Sequence, residues 1–458
     1  MAITAPPAEI FKAYDIRGVY GEELDAETAH LIGRAYARVL GRIRGKETSA
    51  LRVGLGHDMR LTSPEMADGV RNGLLEEGVH VVDAGQIATE MSYYLVGARE
   101  LDGGAMVTAS HNPKKYTGVK LLREGALALS GDAGIQDVRA EIEAGLPDPP
   151  GGGSVEEIDI YPDFHQHMLA FIETDAIGPL RILADGSDGM AGPMVGPLLD
   201  PLNLEMTTSR WQPNGDFPEA GPNPFLEENR RMLVQQVKDE GVDLAIAWDG
   251  DADRCFFIDD GGTFCDGDFV CALLARATLV KEPGARILYD PRSSRAVPDT
   301  VAAAGGKSDL SRVGHAFFKI RMRETGAAFG GEVSGHYYFR HFYCADSGTL
   351  PALLMLELVS REGRSLSDLM SEFRSKYFIS GEINSEVADQ RAKMEEIAER
   401  HSDAEITRLD GVSIDYPDWH FNVRPSNTEP LLRLNLESLV SREDMEAKRD
   451  EVLALIRS

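Results

Sequence analysis

The sequence predicts an α/β protein of several domains with mostly parallel sheets, and three observations predict it. Short aliphatic runs alternate along the chain with longer segments that carry apolar residues at helical spacing. The length of 458 residues is enough for about three domains. The segments LRVGLGHDMR from 51, LRILADGSDG from 180 and ARILYDPRSS from 285 form a weak repeat, which chance explains equally well. A genuine repeat would mean three similar α/β domains followed by a different fourth.

Individual elements follow from the same patterns. Strands are predicted at 52–56, 79–83 and 244–247, and helices within 64–77, 225–240 and 266–281. The last part of the chain differs, because Leu432, Leu434 and Leu436 alternate with polar residues as in a half-buried strand. Ser441 with Asp444 three residues later predicts a capped terminal helix.

Composition shifts divide the chain. The segment PDPPGGGS at 147–154 is the clearest linker, because proline disfavours helix and glycine permits any backbone conformation. Fainter boundaries follow a strand-like run near 261 and again near 378. The predicted domains are 1–150, 155–260, 261–372 and 373–458.

Charge and cysteine content exclude several classes of protein. The formal net charge is −28, from 75 acidic and 47 basic residues, and no basic patch is visible, so we expect no binding to nucleic acid or membrane surfaces. The 4 cysteines show no CxxC pair and no zinc-site spacing, which indicates a reducing compartment. No export signal and no apolar run of about 18 residues are present, so we expect an intracellular protein.

A polar motif, TASHNP at 108–113, follows the small apolar run GAMV at 104–107. A strand that ends there would leave the Ser110 hydroxyl at the carboxyl end of a sheet, where open α/β folds carry their sites. Ser110 is therefore a candidate nucleophile. A plain turn is the commoner explanation of an isolated Ser-His pair, because Ser, Asn and Pro all favour turns.

Three aspartates, Asp249, Asp251 and Asp253, alternate with small residues directly after another apolar strand. Gly250 and Ala252 let the loop curl, so the three carboxylates can converge on one hard cation. A loop that leaves coordination positions open suits Mg²⁺ that bridges to a phosphate. A solvated acidic loop is the weaker alternative, because three like charges so close together are costly without a cation.

Two further loops carry hydrogen-bonding groups. The segment GGEVSGHYY at 330–338 offers an acid, a hydroxyl and an imidazole, which are groups that bind sugar hydroxyls, although a turn with a satisfied core histidine explains it equally well. The segment RPSNTEP at 424–430 supplies a guanidinium, two hydroxyls and an amide, the donors that a phosphate dianion needs, although a Pro-bounded turn is an equal alternative. Taken together, the four loops indicate phosphoryl transfer on a sugar.

At these residues the sequence resembles the α-D-phosphohexomutases, specifically the phosphomannomutase/phosphoglucomutase group. The resemblance covers nearly the whole chain and includes five ordered motifs: YDIRG at 14–18, TASHNP at 108–113, DGDADR at 249–254, GEVSGH at 331–336 and RPSNTEP at 424–430. It implies four domains around a central cleft. The first three would share a related mixed α/β sheet topology, and the fourth would be a smaller α+β domain.

The resemblance also implies roles for individual residues. The ligands of Mg²⁺ would be Ser110 through its phosphate, Asp249, Asp251 and Asp253. The reaction centre would contain the phosphorylated nucleophile Ser110 with Tyr14, Arg17, His111, Lys120 and Arg254, of which Arg17, Lys120 and His111 are the candidates for catalysis. The sugar would be bound by Glu332, Ser334 and His336, with Arg292 and His315 in support. The phosphate that is not transferred would be held by Arg424, Ser426, Asn427 and Thr428.

The implied reaction is the interconversion of mannose 6-phosphate and mannose 1-phosphate, with the glucose pair as the alternative or second substrate. The phosphoserine would phosphorylate a hexose monophosphate, and the resulting hexose 1,6-bisphosphate would turn over and return the other phosphoryl group. We therefore expect a cytoplasmic isomerase that uses Mg²⁺ and hexose 1,6-bisphosphate and binds hexose phosphates, as a monomer or dimer. A sugar-phosphate sensor without activity and a Mg²⁺-dependent phosphatase are the alternatives from other classes.

Overall fold

The computed structural model describes residues 6–130, 134–426 and 431–458. The strands are β1 (Ile16–Val19), β2 (Arg52–His57), β3 (His80–Gln86), β4 (Gly103–Val107), β5 (Tyr116–Arg123), β6 (Leu127–Ala128), β7 (Ser154–Glu157), β8 (Leu180–Asp185), β9 (Leu204–Ser209), β10 (Leu244–Trp248), β11 (Cys255–Asp259), β12 (Arg286–Tyr289), β13 (Lys307–Leu310), β14 (Phe329–Gly331), β15 (Tyr337–Phe339), β16 (Ala345–Asp346), β17 (Phe378–Glu386), β18 (Glu405–Thr407), β19 (Val412–Asp415), β20 (Trp419–Pro425) and β21 (Leu431–Ser438). The α-helices are α1 (Ala26–Arg44), α2 (Ser63–Glu76), α3 (Thr89–Ala98), α4 (Ile135–Ala144), α5 (Tyr161–Leu169), α6 (Ala191–Leu199), α7 (Glu227–Glu240), α8 (Gly267–Lys281), α9 (Ala296–Ala303), α10 (His315–Thr325), α11 (Thr349–Glu362), α12 (Leu366–Arg374), α13 (Gln390–Arg400) and α14 (Arg442–Ile456). Among the described residues, none of these helices combines the length and the apolar character that crossing a membrane requires.

The chain divides into two compact units. Unit 1 comprises Met1–Phe264 and His336–Gly363, and unit 2 comprises Cys265–Gly335 and Arg364–Ser458. Each unit is therefore built from two separate segments of the chain.

The two large sheets of unit 1 are mixed. The first has the order β1-β5-β4-β2-β3-β7, with β6 beside β5. In it β2 runs parallel to β3 and β4, whereas β5 runs antiparallel to β1 and β4. The second has the order β11-β10-β8-β9, in which β8 is parallel to both neighbours and β11 is antiparallel to β10. The α/β class that the sequence predicts is confirmed.

The two chain segments of unit 2, Cys265–Gly335 and Arg364–Ser458, contain strands of different sheets. Strand β12 pairs in parallel with β13 and β14, whereas the C-terminal sheet, of order β17-β21-β20-β19-β18, is antiparallel throughout. On β21 the side chains of Leu432, Leu434 and Leu436 are buried, as their alternation predicts. The Asp444 amide donates to Ser441 Oγ at 3.1 Å, so the predicted cap of the terminal helix α14 is confirmed. The last domain is therefore the different one.

The weak internal repeat corresponds to a shared structure of strand and turn. Strands β2, β8 and β12 end at or just before the buried aspartates Asp58, Asp185 and Asp290. Each aspartate accepts a hydrogen bond through Oδ1 from the amide two residues later, at 3.0, 3.0 and 2.8 Å respectively. Such Asx turns end a strand by replacing the next bond of the ladder. Each turn leads into a helix, α2, α6 and α9.

Buried strands place two polar loops at the edges of their sheets. Strands β4 and β10 are buried at every position, because they consist of small and apolar residues in the middle of their sheets. The motif TASHNP follows β4 directly, and the motif DGDADR follows β10 directly. Both motifs therefore lie at the carboxyl ends of strands, where open α/β sheets bind ligands.

Candidate active site

Ser110 lies in the loop after β4, and only 5% of the residue is exposed. Its backbone has a φ of 50°, in the left-handed region that residues other than glycine rarely adopt. The Ser110 amide donates to Thr108 Oγ1 at 2.8 Å, and Ser110 Oγ lies 3.0 Å from His111 Nδ1. A residue held in this region costs about 1–3 kcal/mol, and such residues cluster at functional sites.

Arg60 supplies the contacts that hold this loop. Its guanidinium is buried and donates through Nη2 to the carbonyl oxygens of Ser110 at 2.7 Å and Asn112 at 2.6 Å. Through Nη1 it donates to the carbonyl oxygens of Pro113 and Tyr116, both at 3.2 Å. Four carbonyl oxygens of one loop are thus bound by a single planar cation. No sequence motif pointed to Arg60.

The loop after β10, residues 249–254, is called the metal loop below. Asp249, Asp251 and Asp253 are buried, and each offers one carboxylate oxygen within 4.8 Å of the others. Asp251 Oδ1 and Asp253 Oδ1 have no hydrogen-bond partner among the described residues. A buried carboxylate oxygen without a partner is costly, so this set of oxygen donors fits a hard divalent cation. The aspartates converge as their spacing predicts.

Two cations neutralise part of the charge in the metal loop. Lys120, on β5, donates through Nζ to Asp251 Oδ2 at 2.7 Å and to Asp253 Oδ2 at 2.6 Å. Arg254 donates through Nε to Asp249 Oδ2 at 2.7 Å. Three carboxylates therefore face two cations, which leaves a net negative charge for a metal ion.

Burial is the largest single influence on the pKa of each of these residues, although it does not set the direction of every shift. Burial, with a smaller effect of Asp251, raises the pKa of Asp253 to about 6. Burial acts to lower the pKa of Lys120, but Asp251 and Asp253 outweigh it and hold that pKa above its usual value. Burial and the nearby Arg254 hold the pKa of His111 well below its usual value. The imidazole beside Ser110 is therefore neutral, and the Lys120 ammonium is charged.

The serine loop and the metal loop touch each other. Thr108 Oγ1 accepts from the Ser110 amide and donates to Asp251 Oδ2 at 3.4 Å. A Cβ atom added at Gly250 would lie 2.8 Å from the Ser110 carbonyl oxygen, so the two backbones pass at close range. The candidate nucleophile and the candidate metal ligands therefore belong to one buried site in unit 1.

Arg17, His336 and Tyr14, which were predicted for the reaction centre or for sugar binding, belong to unit 1. Arg17, on β1, donates through Nη1 to Asn112 Oδ1 at 2.5 Å, which joins it to the serine loop. His336 forms a group with Asp253 and Asp346 in which the possible ligand atoms lie within 4.8 Å. Burial lowers the pKa of His336 to about 4. Tyr14 lies in the bend before β1.

Arg292 is the centre of a second polar cluster, in unit 2. It donates through Nε and Nη2 to both oxygens of Asp290, at 2.9 and 2.7 Å, and through Nη2 to Glu332 Oε1 at 3.4 Å. Glu332 Oε1 also accepts from the amide just before His315, at 2.8 Å, and His315 is the first residue of α10. Ser334 lies in the turn after Glu332. Arg292, Glu332 and the start of α10 are thus brought together.

The Arg424 cluster, also in unit 2, consists of Arg424, Arg433, Glu382 and Ser426. Glu382 accepts from Arg424 Nη2 at 2.9 Å through Oε2 and from Arg433 Nη1 at 3.2 Å through Oε1. Arg433 Nη2 donates to Ser426 Oγ at 3.4 Å. No sequence motif pointed to Arg433, which adds a second guanidinium beside the predicted phosphate loop. Two predicted residues of that loop, Asn427 and Thr428, lie outside the described residues.

Comparisons with known protein families find matches in four successive parts of the chain. Four family profiles match, all described as phosphoglucomutase/phosphomannomutase: alpha/beta/alpha domain I at residues 8–146, domain II at 161–262, domain III at 266–377 and the C-terminal domain at 382–455. Together they account for most of the sequence.

Similar whole proteins include enzymes of the same type. A phosphomannomutase of Salmonella montevideo is 42% identical over 459 residues, which is 98% of this chain and 99% of that protein. A phosphomannomutase of Vibrio cholerae is 40% identical over 456 residues, with 98% of each chain covered. A crystal structure of a phosphoglucomutase/phosphomannomutase family protein from Burkholderia thailandensis superposes with a TM-score of 0.88 at 30% identity, over 98% of this chain and 97% of that one. The chain belongs to the phosphoglucomutase/phosphomannomutase family.

Proposed function

We propose that this protein is a phosphomannomutase, which interconverts mannose 1-phosphate and mannose 6-phosphate through a phosphoserine at position 110 and a hexose 1,6-bisphosphate. The observation that carries the proposal is the contact between the Ser110 loop and the metal loop, through Asp251 and Gly250. The identity of about 42% to a phosphomannomutase over almost the whole chain supports the choice of substrate.

The metal in this proposal is Mg²⁺, held by Asp249, Asp251 and Asp253 together with an oxygen of the phosphate on Ser110. The unpartnered oxygens Asp251 Oδ1 and Asp253 Oδ1 support this assignment. When bound, the ion would neutralise charge on the phosphoryl oxygens and hold them in place.

In the proposed transfer step, the bond from phosphorus to Ser110 Oγ breaks while a bond from phosphorus to the sugar hydroxyl oxygen forms. One proton therefore moves, in net terms, from the sugar hydroxyl to the Ser110 oxygen. His111 is the proposed base of the reverse step, in which Ser110 takes a phosphoryl group back, since its neutral ring lies 3.0 Å from Oγ and can accept the hydroxyl proton. The Lys120 ammonium and the Arg17 guanidinium stabilise the negative phosphoryl oxygens, which is the main requirement of phosphoryl transfer.

Other polar residues would recognise the rest of the substrate. The intermediate must present each of its phosphates in turn, so the residues that hold the second phosphate must accept it at either end of the sugar. The proposed phosphate ligands are Arg424, Ser426, Asn427 and Thr428, with Arg433 in support. The proposed sugar ligands are Glu332, Ser334, Arg292, His315, His336 and Tyr14.

The proposed compartment is the cytoplasm. The cysteines Cys255, Cys265, Cys271 and Cys344 are all free and buried. Free thiols are typical of a reducing compartment, in which disulfides rarely persist.

Mass spectrometry of the intact protein tests the proposal directly. Incubation with glucose 1,6-bisphosphate should add one phosphoryl group to the wild type, located on Ser110, and none to the Ser110→Ala variant. Isomer should then form from mannose 1-phosphate in a coupled assay. A protein that gains no phosphate would be a sensor, and one that releases inorganic phosphate continuously without forming isomer would be a phosphatase. Either result would refute the proposal.

A second substrate is the specific alternative. Family profiles and relatives are described by both phosphoglucomutase and phosphomannomutase. The ratio of kcat/KM for mannose 1-phosphate and glucose 1-phosphate, measured with the same phosphorylated enzyme, decides between mannose preference, glucose preference and dual specificity.

A further inference from the structure

The carboxylate of Asp251 is held through only one of its oxygens. Oδ2 accepts hydrogen bonds from Thr89 Oγ1 at 2.5 Å, Lys120 Nζ at 2.7 Å and Thr108 Oγ1 at 3.4 Å. Oδ1 accepts none from any residue that the structure describes. The contacts that fix the rotation of this carboxylate therefore act through one oxygen and leave the other available as a metal ligand.

Thr89 is itself firmly fixed. It is the first residue of α3 and is fully buried. Its amide donates to the Asp251 carbonyl oxygen at 3.1 Å, so that both its backbone and its hydroxyl reach Asp251. The Thr89 carbonyl oxygen accepts from Ser92 Oγ at 2.6 Å. The start of α3 thus forms a rigid support for the metal loop, although 162 positions of sequence separate the two residues.

Lys120 is a poorer support than Thr89 for a carboxylate that binds a metal. The Lys120 ammonium bridges Asp251 Oδ2 and Asp253 Oδ2, and a divalent cation on the same two carboxylates would repel it. The Thr89 hydroxyl is neutral, so a cation does not repel it in this way. Thr108 is neutral too, but its hydroxyl is 3.4 Å from Oδ2 and already accepts from the Ser110 amide.

We propose that Thr89 is a positioning residue for the metal site, whose hydroxyl holds the Asp251 carboxylate so that Oδ1 faces the cation. This inference rests on the proposed function, which supplies the metal. Removal of a group that orients a metal ligand typically weakens metal binding roughly 10- to 100-fold. Thr89 acts through Asp251, so a high concentration of Mg²⁺ should restore kcat to a variant that lacks the hydroxyl.

The test compares Thr89→Val with Thr89→Ser and Thr117→Val. Valine keeps the shape of threonine without its hydroxyl, and serine keeps the hydroxyl. Thr117 is also fully buried in unit 1, and its Oγ1 has no hydrogen-bond partner among the described residues, so T117V makes the same chemical change without removing a hydrogen bond to Asp251. Mn²⁺ binding to the full-length chain is followed by the electron paramagnetic resonance signal of the free ion, and Mg²⁺ binding by calorimetry, both without sugar.

We expect T89V to weaken binding of both ions roughly 10- to 100-fold, while T89S and T117V bind them as the wild type does. The Mg²⁺ concentration for half-maximal activity should rise in T89V, with kcat restored at saturation. Wild-type affinity in T89V would overturn the inference, and so would an equal loss in T117V. If T89V does not fold, T89A and T117A provide the same comparison. A wild type that binds neither ion would instead refute the metal site of the proposed function.

Discussion

The metal loop of unit 1 and the Arg424 cluster of unit 2 carry opposite excesses of charge. In the metal loop, three aspartates are paired with the cations Lys120 and Arg254. In the Arg424 cluster, Arg424 and Arg433 share the single carboxylate of Glu382. The first region has one carboxylate too many, and the second has one guanidinium too many. Each region is therefore incomplete without a ligand of the opposite sign.

The buried atoms that lack a hydrogen-bond partner also differ between the two regions, in the direction that the charges of the regions predict. Among the described residues, those without a hydrogen-bond partner include the acceptors Asp251 Oδ1 and Asp253 Oδ1 in the metal loop, and the donors Arg424 Nε and Arg433 Nε in the Arg424 cluster. An unsatisfied acceptor is stabilised by a cation, and an unsatisfied donor by an anion. The comparison supports a metal ion at the first region and a phosphate at the second.

Removal of one metal-loop carboxylate should have the largest effect. Asp251→Asn eliminates the charge excess and one metal ligand, so we expect Mg²⁺ binding to fall by more than the roughly 100-fold that partners of metal ligands contribute. Activity should fall with it. Calorimetry with Mg²⁺ and the coupled assay measure the two effects. Affinity for mannose 1-phosphate, measured by equilibrium dialysis, should change much less.

The matched control is Asp239→Asn, which removes the same charge from the exposed end of α7, where Asp239 accepts from Gln235 Nε2 at 2.9 Å. It should bind Mg²⁺ like the wild type. If D239N lost as much affinity as D251N, the net charge of the protein would govern binding, and the metal loop would not be a specific site.

Removal of the guanidinium in unit 2 should have the second largest effect, and on a different quantity. Arg424→Met removes charge-assisted hydrogen bonds of about 1.5–3 kcal/mol, so we expect KM for mannose 1-phosphate to rise roughly 10- to 100-fold. Arg424→Lys keeps the charge without the planar fork and should fall between the wild type and R424M. Mg²⁺ affinity should be unchanged in both. A loss of Mg²⁺ binding in R424M would contradict the division of roles between the two regions.

Arg433→Met should have a smaller effect of the same kind. The Arg433 side chain is 28% exposed, and exposed ion pairs contribute at most about 1 kcal/mol, which corresponds to an increase in KM of up to about fivefold. We expect this increase in KM because Arg433 shares Glu382 with Arg424 and contacts Ser426 Oγ. Steady-state kinetics of R433M, R424M and the double variant would show whether the two arginines act together. Strictly additive effects would mean that Arg433 does not support Arg424.

Motifs placed directly after apolar strands were the part of the site that the sequence could predict. Ser110 and the three aspartates each follow a buried strand, so the general rule for open α/β sheets applies to them. Their convergence on one site followed from chemistry, because a metal loop and a nucleophile are both needed for phosphoryl transfer. The three similar strand-and-turn units were also visible, as a repeat of only ten residues.

The supporting residues were missed because their partners are distant in sequence. Thr89 contacts Asp251 across 162 positions, and a single threonine at the start of a helix carries no signal of that contact. Arg60 could have been found, since Asp58 and Arg60 repeat the spacing of Asp290 and Arg292 within the internal repeat. Arg60 binds backbone carbonyl oxygens, and Thr89 binds the oxygen of the Asp251 carboxylate that is not the candidate metal ligand. Contacts of this kind leave no motif in the sequence.

The last prediction concerns stability alone and does not depend on the proposed reaction. Glu90, on α3, is fully buried and accepts through Oε1 from the Thr349 amide at 3.1 Å. Burial raises its pKa from the usual 4.5 to about 8. Between these values the unfolded chain loses the proton and the folded chain keeps it, so stability should fall with rising pH by about 1.4 kcal/mol per unit.

Glu90→Gln cannot titrate and keeps an acceptor for Thr349, so its stability should lack this contribution. We expect the difference in free energy of unfolding between the wild type and E90Q to shift in favour of E90Q from about pH 5 to about pH 8, by a few kcal/mol at most. Urea unfolding at both pH values measures the shift. Glu228→Gln, at an exposed position on α7, should show none. Parallel profiles for the wild type and E90Q would mean that Glu90 is ionised in the folded protein, with its charge balanced by the Thr349 contacts.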